Sequence, residues 1–167
     1  MPQRIRQATS VLLCGGLAAL AAVTVAGSDA PAAGAPTDTL VLKELNQGSR
    51  FVHIRNTKPR SRRANSTADS FVLTYPVADA SGARIGTSRA ACTTTVGARD
   101  FMKSTITCIG VMTLRDGTLT LQGDIDASSP TSTAAVTGGT GAYANARGVI
   151  VSRQTTTGAE DTITLAR

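Results

Sequence analysis

Aromatic side chains are scarce in this sequence. Its 167 residues include three phenylalanines, two tyrosines and no tryptophan, which together make 3% of the chain. Proteins that bind single-stranded nucleic acid stack the bases on aromatic rings. Because five rings offer few such platforms, the composition argues against a nucleic-acid partner even though the formal net charge is +6.

Histidine and cysteine are scarce too. His53 is the single histidine, so any Ser-His-Asp arrangement would have to use it, and no serine lies in a recognisable nucleophile elbow. One histidine and three cysteines, two of them better explained as a disulfide, provide no convincing set of zinc or redox-metal ligands. The sequence therefore predicts no metal and no cofactor.

The apolar run at residues 11–25 is shorter than the roughly 20 residues that a helix needs to cross a bilayer. Arg4 and Arg6 precede this run and small residues follow it, a pattern typical of a secretory signal peptide over residues 1–26. An uncleaved anchor is the alternative. A Pro/Ala/Gly-rich spacer follows at 27–37. We therefore expect a secreted protein with one domain at 38–167 and no stable membrane insertion after processing.

Apolar residues do not recur at helical spacing anywhere in the predicted domain. Thr, Val and Ile alternate with small residues instead, and turn signals separate the alternating segments. Many short strands with close turns predict an antiparallel barrel or sandwich. Segment 50–55 is either a strand of its own or a continuation of the first strand past a bulge at Gly48. The predicted strands are 39–46, 50–55, 70–77, 84–95, 101–114, 118–126, 132–137, 147–155 and 160–166.

Cys92 and Cys108 are the two cysteines of the predicted domain. An even pair in an oxidising compartment indicates a disulfide. A hairpin turn centred near Asp100 would place the two residues opposite each other, and a centre displaced by one residue would place them diagonally on the same face. Both arrangements allow the bridge.

Residues 55–69 interrupt the rhythm of strands with five basic side chains and no periodic apolar residue. This segment is predicted to be a loop. It is either a clamp for phosphate or carboxylate groups, or a solvated loop whose charges oppose self-association.

The stretch AVTGGTGAYANARG, residues 135–148, contains four glycines and fits the loose dinucleotide-binding pattern G-x-G-x-x-A. That pattern requires a helix after the glycines, and Gly148 would end any such helix within two turns. The segment after it is β-branched and typical of a strand. We therefore expect the glycines to turn the chain, with Tyr143 packed beneath the turn and Arg147 bound to a backbone carbonyl or an acid. The predicted structural residues of this turn are Gly138, Gly139, Gly141, Tyr143, Arg147 and Gly148.

The same stretch resembles the GGTG-x-[FY]-x-x-ARG segment of plant dirigent proteins and the ITGG-x-G-x-[FY] segment of allene oxide cyclases. Weaker matches to these families occur in the expected order at 69–93, 114–123 and 161–165. The resemblance implies an all-β fold, a small eight-stranded antiparallel β-barrel. It also implies a homo-oligomer, since members of this family form trimers.

The first strand carries the candidate site. In TLVLKELN, the side chains of Leu42, Glu44 and Asn46 share one face. Glu44-x-Asn46 is similar to the E-[IL]-N of allene oxide cyclases, which implies that Glu44 stabilises positive charge as a ring closes and that Asn46 fixes a water. These two are the candidate catalytic residues. An exposed strand carboxylate is the alternative for Glu44, and a core position is the alternative for Tyr75. The candidate ligand-pocket residues are Leu42, Tyr75 and Cys92.

Two functions fit these observations. The resemblance implies a barrel that binds an apolar small molecule and steers its cyclisation or stereoselective coupling, an isomerase or cyclase type of activity. The alternative is a non-catalytic secreted binding protein or envelope-associated barrel. A cavity of about 300 Å³ or more that contains Glu44 would favour the first function, and a barrel packed solid would favour the second.

Overall fold

Nine β-strands make up most of residues 37–55 and 65–166, the part of the chain that the computed structural model describes. One turn of 3₁₀ helix, Phe101–Lys103, precedes the fifth strand. The strands are β1 (Thr37–Leu45), β2 (Arg50–Ile54), β3 (Ser70–Ala78), β4 (Arg84–Val96), β5 (Thr105–Leu114), β6 (Gly117–Asp126), β7 (Thr131–Gly141), β8 (Arg147–Thr155) and β9 (Gly158–Ala166).

Three of the sequence predictions fall wholly or mainly on other residues. The predicted signal peptide at 1–26 and residues 27–36 of the predicted spacer lie outside the described ranges, as do residues 56–64 of the basic segment. Within the described ranges, no helix is long and apolar enough to cross a lipid bilayer.

The strands form a closed antiparallel barrel of eight strands, as predicted. Hydrogen bonding runs in the order β1-β9-β8-β7-β6-β5-β4-β3, and β1 pairs with β3 to complete the ring. The remaining strand, β2, pairs with the other half of β3. A closed ring leaves no unpaired strand edge along its circumference.

The first two strands act as one interrupted strand along β3. Glu44 of β1 pairs with Val77, and Arg50 of β2 resumes the pairing at Thr74. The chain turns between them at residues 46–49, where Gly48 has a φ of +85°. Segment 50–54 is thus a strand of its own that continues the pairing of the first strand along β3, with a turn at Gly48 where a bulge was the alternative.

Inward side chains fill one half of the barrel with a tightly packed core. The strands alternate buried and exposed residues, as in β5, where Met112 is fully buried and Val111 is exposed. Alternation of this kind follows from the two-residue period of a strand. The buried residues of this core are Leu42, Val77, Met112, Leu114, Leu119, Val136, Ala146, Ile150, Ile163 and Leu165.

A disulfide joins neighbouring strands in the other half. Cys92 of β4 and Cys108 of β5 lie directly opposite each other and are bonded. Closing a loop of this length stabilises the fold by about 3 kcal/mol in the chain-entropy model. Phe71 and Ile106 pack with the two cysteines in a second buried cluster.

The predicted start of the fifth strand at residue 101 is wrong. Residues 101–103 form the 3₁₀ turn because the Asp100 side chain caps it, accepting a hydrogen bond of 3.1 Å from the Met102 amide. The strand begins at Thr105, after the 3₁₀ turn, because the capping hydrogen bond to the Asp100 side chain holds residues 101–103 out of the sheet.

The prediction for the glycine stretch is partly wrong. Gly138 and Gly139 lie inside β7, and Gly148 lies inside β8, where it pairs with Leu165. The turn itself comprises residues 142–145 and follows Gly141, whose φ is +62°. No helix follows Gly141, since β8 begins at residue 147, so the helix that the dinucleotide pattern requires after its glycines does not form.

Tyr143 and Arg147 lie where the sequence predicts. Tyr143 is half-buried in the turn and packs against the main core. The Arg147 guanidinium donates a hydrogen bond of 2.8 Å to the Ala146 carbonyl.

Close backbone approach explains the glycine at position 139. A Cβ there would lie 2.3 Å from the Tyr143 carbonyl oxygen and 2.6 Å from the Thr118 carbonyl oxygen. At Gly138 the nearest atom would be the Thr120 hydroxyl at 3.0 Å, which a side-chain rotation can move.

We therefore expect Gly139→Ala to lower the free energy of unfolding by about 1–3 kcal/mol, because fixed backbone atoms cannot yield to the new methyl group. Its neighbour Gly138→Ala is the matched control and should cost less than about 1 kcal/mol. Urea unfolding of the two variants measures the difference. Equal destabilisation of both would contradict this packing account.

Candidate functional site

A cavity of about 710 Å³ occupies the half of the barrel that the main core leaves unfilled. Its lining extends outward to Phe51, Met102 and residues 126–130 of the β6–β7 turn. Phe51 and Met102 are more than half exposed, at 56% and 53%. The cavity mouth therefore lies at this end of the barrel.

The cavity exists because several inward positions of this half carry small side chains. Large residues such as Met112, Leu119 and Ile163 occupy the inward positions of the other half and fill it. Interiors of eight-stranded barrels are just wide enough for large side chains to fill, so small ones leave space for a ligand. The small lining residues are Ser88, Ala90, Gly110, Gly123, Ser132, Ala134 and Ala159.

Most of the chain's few aromatic rings gather at this cavity. Phe51, Phe71, Phe101 and Tyr75 line it, which leaves Tyr143 as the one aromatic residue placed elsewhere. The ring centroid of Phe71 lies 5.3 Å from that of Phe51 and 5.4 Å from that of Phe101. These rings form an apolar wall near the mouth.

The Glu44 side chain points into the cavity from the seam where the barrel closes. Glu44 pairs with Val77 of β3 on one side and with Ala159 of β9 on the other. The pKa of Glu44 is raised from 4.5 to about 7. Burial is the largest cause, the nearby Asp161 carboxylate acts in the same direction, and a hydrogen bond with the Ser88 hydroxyl opposes both. The alternative of an exposed strand carboxylate is therefore wrong.

Tyr75 lies beside Glu44 on the neighbouring strand. It is two residues before Val77, the partner of Glu44, so the two side chains are diagonal neighbours on the inner face. Burial and then the negative charge of Glu44 raise the pKa of the Tyr75 phenol. The phenol consequently stays protonated and can donate a hydrogen bond into the cavity.

Asp161 is a site residue that sequence reasoning missed. Its side chain is fully buried on the inner face of β9, diagonal to Glu44 across the β1–β9 pairing. Oδ1 accepts a hydrogen bond of 2.6 Å from the Ser152 hydroxyl, whereas Oδ2 has no hydrogen-bond partner among the described residues. Burial raises the pKa of Asp161, and the Ser152 hydrogen bond opposes the shift. The alternation in DTITL, which puts Asp161 on the face of Ile163 and Leu165, was the available signal.

The structure brings together only part of the predicted site. Leu42 packs in the main core and does not line the cavity. Cys92 is buried behind the wall in the disulfide, and its partner Cys108 is the cysteine that faces the cavity.

Asn46 is not in the site, contrary to the prediction. β1 ends at Leu45, so the two-residue alternation that placed Asn46 with Glu44 stops one residue too early. Asn46 is exposed in the turn, and its backbone N–H donates a hydrogen bond of 2.9 Å to the Thr157 carbonyl.

The single histidine supports the aromatic wall. His53 Nε2 lies 3.1 Å from the buried Asp69 Oδ2, and its ring stacks on Phe71 with centroids 4.5 Å apart. Asp69 also accepts a hydrogen bond from the Ser66 amide. These contacts fix the position of Phe71 in the cavity wall.

Comparison with known proteins identifies the fold. The sequence model of the allene oxide cyclase barrel-like domain matches residues 50–165. No curated protein matches the chain.

Three solved structures illustrate the likeness. A pyocyanin demethylase superposes with a TM-score of 0.61 at 21% identity, covering 78% of this chain and 100% of its own. A Diels-Alderase from Streptomyces koyangensis gives 0.59 at 15% identity, with 78% of this chain and 64% of that one covered. A pterocarpan synthase dirigent protein gives 0.55 at 14% identity, with 79% and 90% covered. At these identities the likeness shows a shared fold.

Burial of Glu44 makes a prediction about stability. Because the pKa in the folded state is about 7, above the ordinary 4.5, folding takes up a proton between these values and rising pH destabilises the fold across that window. Glu44→Gln cannot ionise. Its free energy of unfolding relative to wild type should therefore increase between about pH 5 and about pH 8, by on the order of 1–3 kcal/mol.

Urea unfolding at the two pH values measures this difference. Glu160→Gln removes the same charge from an exposed position on β9 and is the matched control, for which no such increase is expected. A Glu44→Gln effect that is the same at both pH values would show that Glu44 ionises normally.

Proposed function

The chain belongs to the allene oxide cyclase barrel-like family, and from this premise we propose that its barrel binds one apolar small molecule and steers the molecule toward ring closure or stereoselective coupling. The observation that carries the proposal is a cavity of about 710 Å³ with Glu44 in its wall. This volume exceeds the value of about 300 Å³ above which we expected a ligand-binding function, and it falls in the range of small-molecule sites.

Binding would come mainly from the apolar wall. Phe51, Phe71 and Phe101 present ring faces and edges at the mouth, and Leu73, Ile106 and Leu121 continue the wall inward. Burial of apolar surface contributes roughly 25 cal/mol per Å², so a ligand that covers these side chains gains affinity from area alone.

Catalysis would come from shape and from one charge. A cavity that admits a single folded conformer of a flexible substrate removes much of the entropic barrier to ring closure. The Glu44 carboxylate would stabilise positive charge that develops in the transition state, and its low-dielectric surroundings would strengthen this interaction. The Tyr75 phenol is the donor beside it that could bind a developing oxyanion. The Diels-Alderase of the same fold supports ring formation as the reaction class.

We also propose that the protein works outside the cytoplasm. The basic, apolar and small-residue segments at residues 1–26 support export, and the Cys92–Cys108 disulfide suits an oxidising compartment.

If the ligand occupies the cavity, a large side chain placed inside it should weaken binding. Ala90 faces the cavity and its neighbour Ala91 is exposed on the outer wall. Ala90→Phe should reduce retention of an apolar ligand by on the order of tenfold or more, whereas Ala91→Phe should retain it like wild type. Native mass spectrometry after incubation with an apolar culture extract measures retention. Equal retention by both variants would place binding elsewhere and refute the proposal.

The same extract tests catalysis. For ring closure, chromatography with mass detection should reveal a product of unchanged mass that wild type forms and that Glu44→Gln forms on the order of 100-fold more slowly at saturating ligand. Retention without any product would instead support the non-catalytic binding function.

A further inference from the structure

The charge of the cavity is opposite to the charge of the chain. The sequence has 17 Lys and Arg against 11 Asp and Glu. Yet among the described residues that line the cavity there is no Lys, Arg or His, and the ionisable acids are Glu44 within it and Asp126 at its mouth. Asp161 adds a further carboxyl directly behind the wall, beside the lining residue Ser152. The interior is therefore acidic with no described cation to balance it.

The carboxyl group of Asp161 lacks a full set of hydrogen-bond partners among the described residues. Its side chain has no solvent exposure, and its Oδ2 lacks a hydrogen-bond donor among the described residues. An unsatisfied buried carboxyl oxygen is costly, more so when a second carboxyl is close by. A positive charge placed between the two acids and the open cavity would offset that cost.

The aromatic lining favours the same kind of ligand. Phe71, Phe101 and Tyr75 line the cavity that contains Glu44. Aromatic ring faces attract cations held within about 6 Å of the ring centre, and the attraction grows when water is excluded. A negatively charged group would meet both the acids and the ring faces unfavourably.

We propose that the cavity selects an apolar ligand that carries one basic nitrogen, bound as a cation beside Glu44, and that it rejects ligands bearing a carboxylate or a phosphate. The inference rests on the proposed ligand-binding function and adds the chemical class of the ligand. In the complex, a nitrogen-bound hydrogen donates to a Glu44 carboxylate oxygen. When Glu44 is protonated in the free protein, its proton leaves to solvent as the cation binds.

This exchange makes affinity depend on pH. The groups facing Glu44 are Asp161 from β9, Tyr75 from β3 and Ser88 from β4, with Asp126 farther out at the mouth. Tyr75 stays neutral, Ser88 does not titrate, and hydrogen bonds from Ser128 hold the pKa of Asp126 below its ordinary value, so Glu44 sets the response. As pH rises from about 6 to about 8 Glu44 loses its proton, and affinity for an amine that stays protonated should increase on the order of tenfold.

The test uses three probes of matched shape and different charge: naphthylmethylamine as cation, naphthylmethanol as neutral probe and naphthoate as anion. Isothermal titration calorimetry at about pH 8 should give binding of the amine on the order of tenfold tighter than that of the alcohol, and weaker binding of naphthoate than of either. The amine should also release a proton on binding near pH 7, seen as a dependence of the heat on the buffer used.

Two variants test whether Glu44 causes the preference for the amine over the alcohol. Glu44→Gln should bring the amine and the alcohol to within about threefold of each other. The matched control Glu160→Gln, on the outer wall, should keep the wild-type preference. The pH series on wild type tests the same point without any substitution.

Failure of this inference and failure of the proposed function give different results in this experiment. Binding of the alcohol with no preference for the amine, tightest binding of naphthoate, or a preference that survives in Glu44→Gln would overturn this inference and leave the proposed function standing. Binding of none of the three probes would overturn both.

Discussion

Closure of the barrel depends on the short pairing between β1 and β3, in which Lys43 lies opposite Ala78 and Glu44 opposite Val77. This pairing turns the sheet into a ring and thereby gives Glu44 an interior to face. The chain can close in this way because it turns at residues 46–49 and resumes on β3 as β2. The position of the carboxylate is thus a consequence of closure, and so is its raised pKa, since burial is the main cause of that shift.

The two halves of the interior differ in the size of their inward side chains. Branched and long side chains, Met112 and Ile163 among them, fill one half and supply the main core. Glycine, alanine and serine at several inward positions of the other half leave space for the cavity, and the disulfide strengthens its wall. One strand can serve both halves: β5 contributes Gly110 to the cavity and Met112 to the core. Stability and ligand space are therefore separated along the barrel axis.

Much of the fold could be predicted from alternation and turn signals. A strand with one face buried alternates apolar and polar residues with a period of two, and this pattern is visible in the sequence. The all-β assignment and the shared face of Leu42 and Glu44 depended on that period, and the opposed cysteines depended on the position of the hairpin turn near Asp100. The prediction for Asn46 was wrong because the two-residue period does not show where a strand ends. The prediction for Gly139 was wrong because it was placed in a turn, whereas it lies in a strand and close contact with backbone atoms requires a glycine there. Asp161 was missed because its neighbour Glu44 lies more than a hundred residues away in sequence, and only the β1–β9 register brings the two acids together.

Ligand binding and catalysis as proposed both depend on the environment of the Glu44 carboxyl group. Its titration is observable by NMR through the side-chain carboxyl carbon of Glu44 in the isotopically labelled protein, assigned by comparison with Glu44→Gln. The account predicts a midpoint near 7, well above the ordinary 4.5, in the absence of ligand. A midpoint near 4.5 would mean that Glu44 is solvated, which would contradict its burial in the barrel interior.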